Sequence, residues 1–266
     1  MKDLITINNL NFSYNKKAIF KNLSLQIKKG QFITILGSSG SGKTTLTKIL
    51  SGKLNCTGDI VIDDLNLRDA LNKKKVTFCF DSFSNNFIQD KVIDELYVSL
   101  KKNNLSRNEI NSRVNYVVNN LKIDNLLDYS PIYLSNSEKQ IVSLAKQLVL
   151  EPDILILDDS LLILDSEQRK RIFKYLKKLN RDKKTTIINI TGNSEDSIYG
   201  NDIAIIHDGN IIINDKKQIV LLEEKLFKKA GLSLPFMADL SIKLKYYDLF
   251  DKIILDKNKM VNLLWK

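Results

Sequence analysis

Residues 32–45 read FITILGSSGSGKTT, and this stretch decides the fold. FITIL has the composition of a buried strand, and TTLTKILSG, which begins at Thr44, carries helical spacing. Between strand and helix, Gly37, Gly42, Lys43 and Thr44 fill every fixed position of G-x-x-x-x-G-K-[ST]. That chemistry suits phosphate. Glycine lets backbone N–H groups curl around oxyanions, and the helix adds the positive end of its dipole. The expected cradle comprises Gly37, Ser38, Ser39, Gly40, Ser41, Gly42, Lys43, Thr44 and Thr45, with Lys43 reaching the terminal phosphates and Thr44 a ligand for Mg²⁺. A chance glycine-rich turn would give no reason for the flanking strand and helix.

Downstream, residues 154–165 read ILILDDSLLILD, an apolar strand ending in adjacent carboxylates. With a phosphate loop upstream, Asp158 is expected to orient the Mg²⁺ shell and Asp159 to lie where an attacking water is polarised. Further strands are expected at LITINNLNF, LSLQI, IVID, VTFCF, TTIINIT and IAIIH. Helical spacing recurs in RNEINSRVNYVVNNLK, after Ser135, and in SEQRKRIFKYLKKLN. This alternation predicts an α/β fold with a mostly parallel core sheet and an N-terminal antiparallel β portion. Beyond about residue 215 the pattern turns helical and lysine-rich, which predicts a small C-terminal extension.

Composition narrows the classes. A chain of 266 residues buries a full core without staples, and Cys56 and Cys79 are isolated, outside any metal-ligand spacing, as in a reducing compartment. No leader opens the chain, and charge interrupts every apolar run before ~18 residues, so a soluble chain is expected, free to sit against a membrane protein. The net charge of +10 comes from scattered lysine pairs with scarce arginine, and no aromatic residues interleave with them for base stacking. The basic surface therefore reads as a solvated face, with membrane attraction second, and no nucleic acid is expected.

Taken in order, these landmarks resemble the ATP-binding subunits of ABC transporters over nearly the whole chain. FSY, ending at Tyr14, looks like that family's adenine-stacking aromatic loop. LSNSEKQ at 134–140 is similar to its signature LSGGQ-x-Q, in which Ser135 contacts the ATP held by a partner. LILD at 162–165 occupies the loop that normally reads SALD and retains Asp165. KAGLSLPFMADLSIKLK, 229–245, resembles the Gly-Leu-x-x-Pro-(aromatic) segment of the ATPases of energy-coupling factor transporters. NNFIQDKVIDELYVSL, 85–100, resembles the part that receives the membrane subunit, with Asp94 and Glu95 matching its paired acids; an exposed helix face is the alternative.

The resemblance implies a P-loop NTPase of the ABC type. Residues 1–215 would form the nucleotide-binding domain, with about 82–150 as its helical signature subdomain, and 216–266 would form a C-terminal helical extension for dimerisation. ATP and Mg²⁺ are the implied cofactors. The implied partners are a second homologous ATPase and an integral membrane scaffold, reaching through it a substrate-binding membrane protein for a vitamin or metal ion. The implied location is peripheral, on the cytoplasmic face of the cell membrane.

Departures from the family pattern predict weakened hydrolysis. Asp159 stands where the family has Glu, and withdrawing the carboxylate by about an ångström can cost ~10²-fold. Gly192 stands where a histidine contacts the γ-phosphate; the sole histidine, His207, lies one strand later. Asp81 replaces a glutamine that senses Mg²⁺. Ser137 and Glu138 alter the signature, and Ser135 with Glu138 also spells a helix-starting capping box. The expected product is an ATPase impaired at its own site and dependent on a partner. A non-hydrolysing subunit of the same complex is the alternative, and a soluble ABC protein acting on ribosomes or nucleic acid is a weaker one.

Overall fold

The computed structural model describes residues 2–73, 76–81, 87–101, 105–249 and 252–265. Strands β1 (Asp3–Tyr14), β2 (Lys17–Lys28), β3 (Phe32–Leu36), β4 (Thr57–Ile62), β5 (Leu65–Asn66) and β6 (Val76–Phe80) come first. They are followed by β7 (Ile154–Asp158), β8 (Thr186–Thr191), β9 (Asp202–His207) and β10 (Asn210–Lys216). The helices that matter here are α1 (Lys43–Leu50), α2 (Leu67–Lys73), α3 (Val92–Leu100), α4 (Arg107–Leu121), α5 (Asn136–Leu148) and α6 (Ser166–Lys183). After β10 the chain is helical, with α7 (Lys217–Val220), α8 (Glu224–Lys229), α9 (Phe236–Lys245) and α10 (Lys257–Leu264).

Two sheets carry these elements. An antiparallel sheet runs β2-β1-β4-β5, and a six-stranded sheet runs β10-β9-β3-β8-β7-β6, parallel except for β10. The central strands β3, β7 and β8 are buried at every residue, which explains why they read as unbroken apolar runs: both faces are covered. One face packs against α3 to α6 through Leu96, Val117, Leu144, Phe173 and Leu176. On the other, Ile33, Ile35, Ile154 and Ile188 meet Leu46 and Ile49 of α1 and the inner residues of the antiparallel sheet, Ile5, Ile7 and Phe20 among them. Each such side chain fully withdrawn from water contributes about 1.5–3 kcal/mol. A third cluster seats Phe227, Ala230 and Ala238 on Leu36, Ile203 and Ile205, so the C-terminal helices pack on the β3 and β9 side of the sheet.

Every strand expected from the sequence is present. β10 was not expected, because its residues are half-exposed or exposed and it pairs only with β9 in the sheet, as an antiparallel edge. No helix among the described residues is long and apolar enough to cross a membrane.

Candidate nucleotide site

The tips of the parallel strands bring the sequence motifs to one edge. β3 leads into the loop Gly37–Gly42, β7 ends at Asp158, β6 ends one residue before Asp81, and Gly192 directly follows β8. The register fixes their relative heights: Leu36 pairs with Thr191, and Asp158 with Ile190.

The loop is shaped by three glycines. A Cβ on Gly37 would lie 2.3 Å from Ser41 Oγ and 2.6 Å from Ile206 Cγ2, so a side chain there would displace the loop or β9. Gly42 has φ 106°, and its Cβ would meet Phe20 of β2 at 2.6 Å. Gly40, with φ 80°, faces open space. Ser39 and Gly40 form the exposed rim, while Ser41 and Thr45 are buried and Ser38 is half-buried. Lys43 is buried at the start of α1, where Nζ donates to Gly37 O at 2.9 Å and Ser38 O at 3.1 Å. No side chain caps α1 and no acid stands in its first turn, so its free amide groups suit an oxyanion.

The carboxylates gather beside this loop. Asp158 is 1 % exposed and its Oδ1 has no hydrogen-bond partner. Burial, with the charges of Asp159 and Asp81, pushes its proton affinity up to about 6, against a hydrogen bond from Thr47 and the charge of Lys43. An orphaned carboxylate oxygen among like charges is what a divalent cation would satisfy. The hydroxyl-bearing Thr44 lies exposed in the first turn of α1. No group of three or more His, Cys, Asp or Glu with metal-binding potential occurs among the described residues. Mg²⁺ does not require one, because it keeps waters and phosphate oxygens around one or two protein ligands. Asp158 and Thr44 therefore fit Mg²⁺.

Asp159 adopts φ 47°, a left-handed conformation that Asp tolerates better than most residues. Its amide donates to Ile190 O at 2.8 Å, and its Oδ1 accepts from Gly192 N at 2.9 Å. A Cβ on Gly192 would lie 3.7 Å from Lys43 Nζ, so position 192 borders the phosphate loop. His207 ends β9, on the far side of β3 from β8, with Nε2 3.3 Å from Asp208 Oδ2.

Other expected residues stand apart. Tyr14 is 42 % exposed at the end of β1, edge-to-face with Phe12 at 4.8 Å; its hairpin reaches the loop through Ile19 and Phe20. Ser135 caps α5, donating from Oγ to Glu138 Oε2 at 2.7 Å and accepting from Glu138 N at 3.3 Å. No hydrogen bond joins it to the phosphate loop among the described residues, and both hydroxyl functions are engaged in the capping box. These bonds hold the Glu138 carboxyl below its ordinary range. Asp165 likewise caps α6, in a box with Gln168.

Asp94 and Glu95 do not form a paired acidic surface. Asp94 is exposed, whereas Glu95 is 0 % exposed and accepts from Lys146 Nζ at 2.5 Å and from the amides of Ile88 and Gln89. Residues 85 and 86 of that segment lie outside the described residues. A tertiary ion pair has turned one acid inward, which spacing along the helix does not disclose.

Four contributors were not named as site residues from the sequence. Thr47 stands one helical turn after Lys43, where its hydroxyl donates to Lys43 O at 3.2 Å, and it helps to lower the proton affinity of Asp158. Gln140 of α5 is buried and donates to Phe80 O at 2.9 Å, fixing the strand tip that carries Asp81. Arg169 donates to the carbonyls of Leu161, Leu162 and Leu164 and lies 3.6 Å from buried Asp196, tying the loop after Asp159 to the segment after Gly192. Asp196 is pushed up to about 7, chiefly by burial, with Arg169 opposing. Two of them had a local signal: Thr47 by its i+4 spacing from Lys43, and Gln140 as the last residue of the signature-like stretch 134–140.

Residues 20–161 match the family ABC transporter. The chain is 32 % identical over 247 residues to the energy-coupling factor transporter ATP-binding protein EcfA1 of Mycoplasmopsis synoviae, covering 90 % of this chain and 92 % of that one. It is also 32 % identical over 240 residues to EcfA1 of Ligilactobacillus salivarius, covering 88 % and 85 %. Among solved structures, cbiO1 from Clostridium perfringens, part of the ABC transporter complex cbiONQ, superposes with TM-score 0.75 at 27 % identity, covering 90 % of this chain and 99 % of that one. The dimeric ATP-binding cassette MJ0796, in a post-hydrolysis state bound to ADP and Pi, superposes with TM-score 0.70 at 26 % identity, covering 80 % and 98 %. With its phosphate loop, signature helix and paired aspartates following one another in that order along the sequence, the chain belongs to the ABC transporter family, in the branch of the energy-coupling factor ATP-binding proteins.

Proposed function

We propose that this chain binds MgATP as one motor subunit of an energy-coupling factor importer, with slow hydrolysis at its own site. Lys43 and the α1 amides would hold the β- and γ-phosphates, and Asp158 with Thr44 would hold Mg²⁺, whose bound form neutralises phosphate charge. The observation that carries the reading is the orphaned Asp158 carboxylate beside Lys43, a site that pairs a divalent cation with phosphates. Tyr14 would stack on the base.

Slow turnover follows from two features. The Asp159 carboxylate is shorter than glutamate and engaged by the Gly192 amide, and Gly192 offers no imidazole to the γ-phosphate. General-base assistance is worth ~10² to 10⁴-fold, so either loss slows the site severely. Asp81, close enough to repel Asp158, adds negative charge where a neutral glutamine is usual. The same observations favour the second reading, a subunit that binds ATP without hydrolysing it, and kinetics separates the two.

In the assembly, ATP would hold this chain against a second ATPase whose site borders Ser135. Residues 1–215 would form the nucleotide-binding domain, with 82–150 as its helical part, and 216–266 would supply the dimer contact. Closure of the pair would drive a membrane scaffold on the cytoplasmic face and uptake of a micronutrient such as a vitamin or metal ion.

The test is to tag the chain in its own cell, solubilise membranes gently and identify the co-purifying proteins by mass spectrometry. Recovery of a second ATPase with a multi-span membrane protein is expected. Ribosomes or nucleic acid without membrane subunits would overturn the reading.

A further inference from the structure

Away from the nucleotide site, α6 borders a groove of about 1000 Å³ that also touches Lys122 after α4 and Tyr199 after β8. Its lining includes Lys122, Lys170, Arg171, Lys174, Lys177 and Lys178. Lys170, Lys174 and Lys178 follow each other at i, i+4 spacing, and like charges so placed destabilise a helix. Some lysines elsewhere in the chain are paired. Lys2, Lys183, Lys216, Lys228 and Lys243 each meet a carboxylate. Among the described residues, none of the five groove lysines has a carboxylate within salt-bridge distance, although Glu167 also lines the groove.

Two details show charge that the fold itself does not compensate. Arg171 Nε is buried with no acceptor. Lys177 lies 5.4 Å from the Tyr199 ring centre, and its partial burial lowers its proton affinity. It also repels neighbouring Lys217, which burial first and Lys177 second push down to about 8. An anion seated among these groups would relieve the repulsion among the lysines and offset the uncompensated Arg171 charge beside it.

We propose that this groove is a second anion site, distinct from the nucleotide site, for a ligand bearing several closely spaced phosphates. A lone carboxylate would leave most of the cations unanswered, whereas clustered phosphates present several acceptor oxygens to converging ammonium and guanidinium donors. The α6 stretch from Lys170 to Lys178 spans ~12 Å of axis, compact enough for a short phosphate chain or a lipid headgroup.

The experiment titrates the full chain with sodium tripolyphosphate by calorimetry, with a saturating non-hydrolysable Mg²⁺–ATP analogue filling the phosphate loop. A parallel arm measures co-sedimentation with vesicles of phosphatidylglycerol in phosphatidylcholine. Both are repeated with Lys174→Gln/Lys177→Gln, and with Lys28→Gln/Lys29→Gln as a control of equal charge on another surface. Saturable tripolyphosphate binding, weakened ~10-fold or more only in the groove variant, would support the proposal with a soluble source. Vesicle binding alone, lost only in that variant, would support it with a headgroup source. No binding in either arm, or equal weakening by both variants, would overturn it; unchanged analogue binding by the groove variant verifies that it folds.

Discussion

Asp158→Asn should stabilise the nucleotide-free chain while weakening its hold on MgATP. In the native state the Asp158 proton leaves at about 6, whereas an unfolded aspartate releases it near ~3.9. At ~1.4 kcal/mol per tenfold change in a protonation equilibrium, keeping this side chain ionised at neutral pH costs about 3 kcal/mol. Because the folded value is the higher one, the native state holds the extra proton. The stabilisation is complete below ~pH 4 and is lost as pH rises through about 6. Urea unfolding of wild type and variant, without nucleotide or Mg²⁺, should therefore give a stability difference that grows by about 2 kcal/mol between ~pH 4.5 and ~pH 7.5. The variant should gain at neutral pH, although a buried amide needs an acceptor and will not recover the whole amount. A difference independent of pH would refute the reasoning, because it would mean that Asp158 is not a charge held against its preference.

Lys43→Ala should abolish binding of a fluorescent ATP analogue, since this buried ammonium, held to the loop carbonyls of Gly37 and Ser38, is the cation proposed to meet the phosphates; retained affinity would count against the site. Asp159→Glu with Gly192→His should raise ATP turnover at this chain's own site ~10²-fold, read in complexes whose partner ATPase is inactivated, because the Cβ added at 192 meets nothing closer than 3.5 Å. The left-handed backbone at 159 should cost this variant up to ~1 kcal/mol in denaturant unfolding. Glu95→Ala should destabilise the chain by about 3–5 kcal/mol in the same assay, as it withdraws a fully buried carboxylate from Lys146 and two backbone amides. An effect under ~1 kcal/mol would show that the interior pair is dispensable.

What could be read from the sequence was local. FITIL, ILILD and TTIINIT announced buried strands because parallel strands carry apolar residues on both faces, and the glycine spacing before Lys43 admitted one backbone shape. Ser135 with Glu138 spelled its own capping box. What escaped depends on partners distant in the chain. Glu95 looks like any helical acid until Lys146, 51 residues on, is brought beside it. Arg169 and Asp196 meet only after β8 returns to the sheet. β10 escaped because a polar edge strand lacks the apolar run that marks the others.

The strand order β3-β8-β7 has a consequence for how this subunit can change over generations. Hydrogen-bonded strands lie ~4.8 Å apart, so the tips carrying Gly37 and Asp158 stand roughly 10 Å from each other, with the tip of β8 between them. The residues proposed to hold phosphate and cation thus sit on the outer two of these three strands, and position 192 on the middle one. Substitution at 192 leaves the pairings Leu36 with Thr191 and Asp158 with Ile190 untouched. Turnover can therefore drift by single residues while the strands that frame the loop and Asp158 are passed on whole.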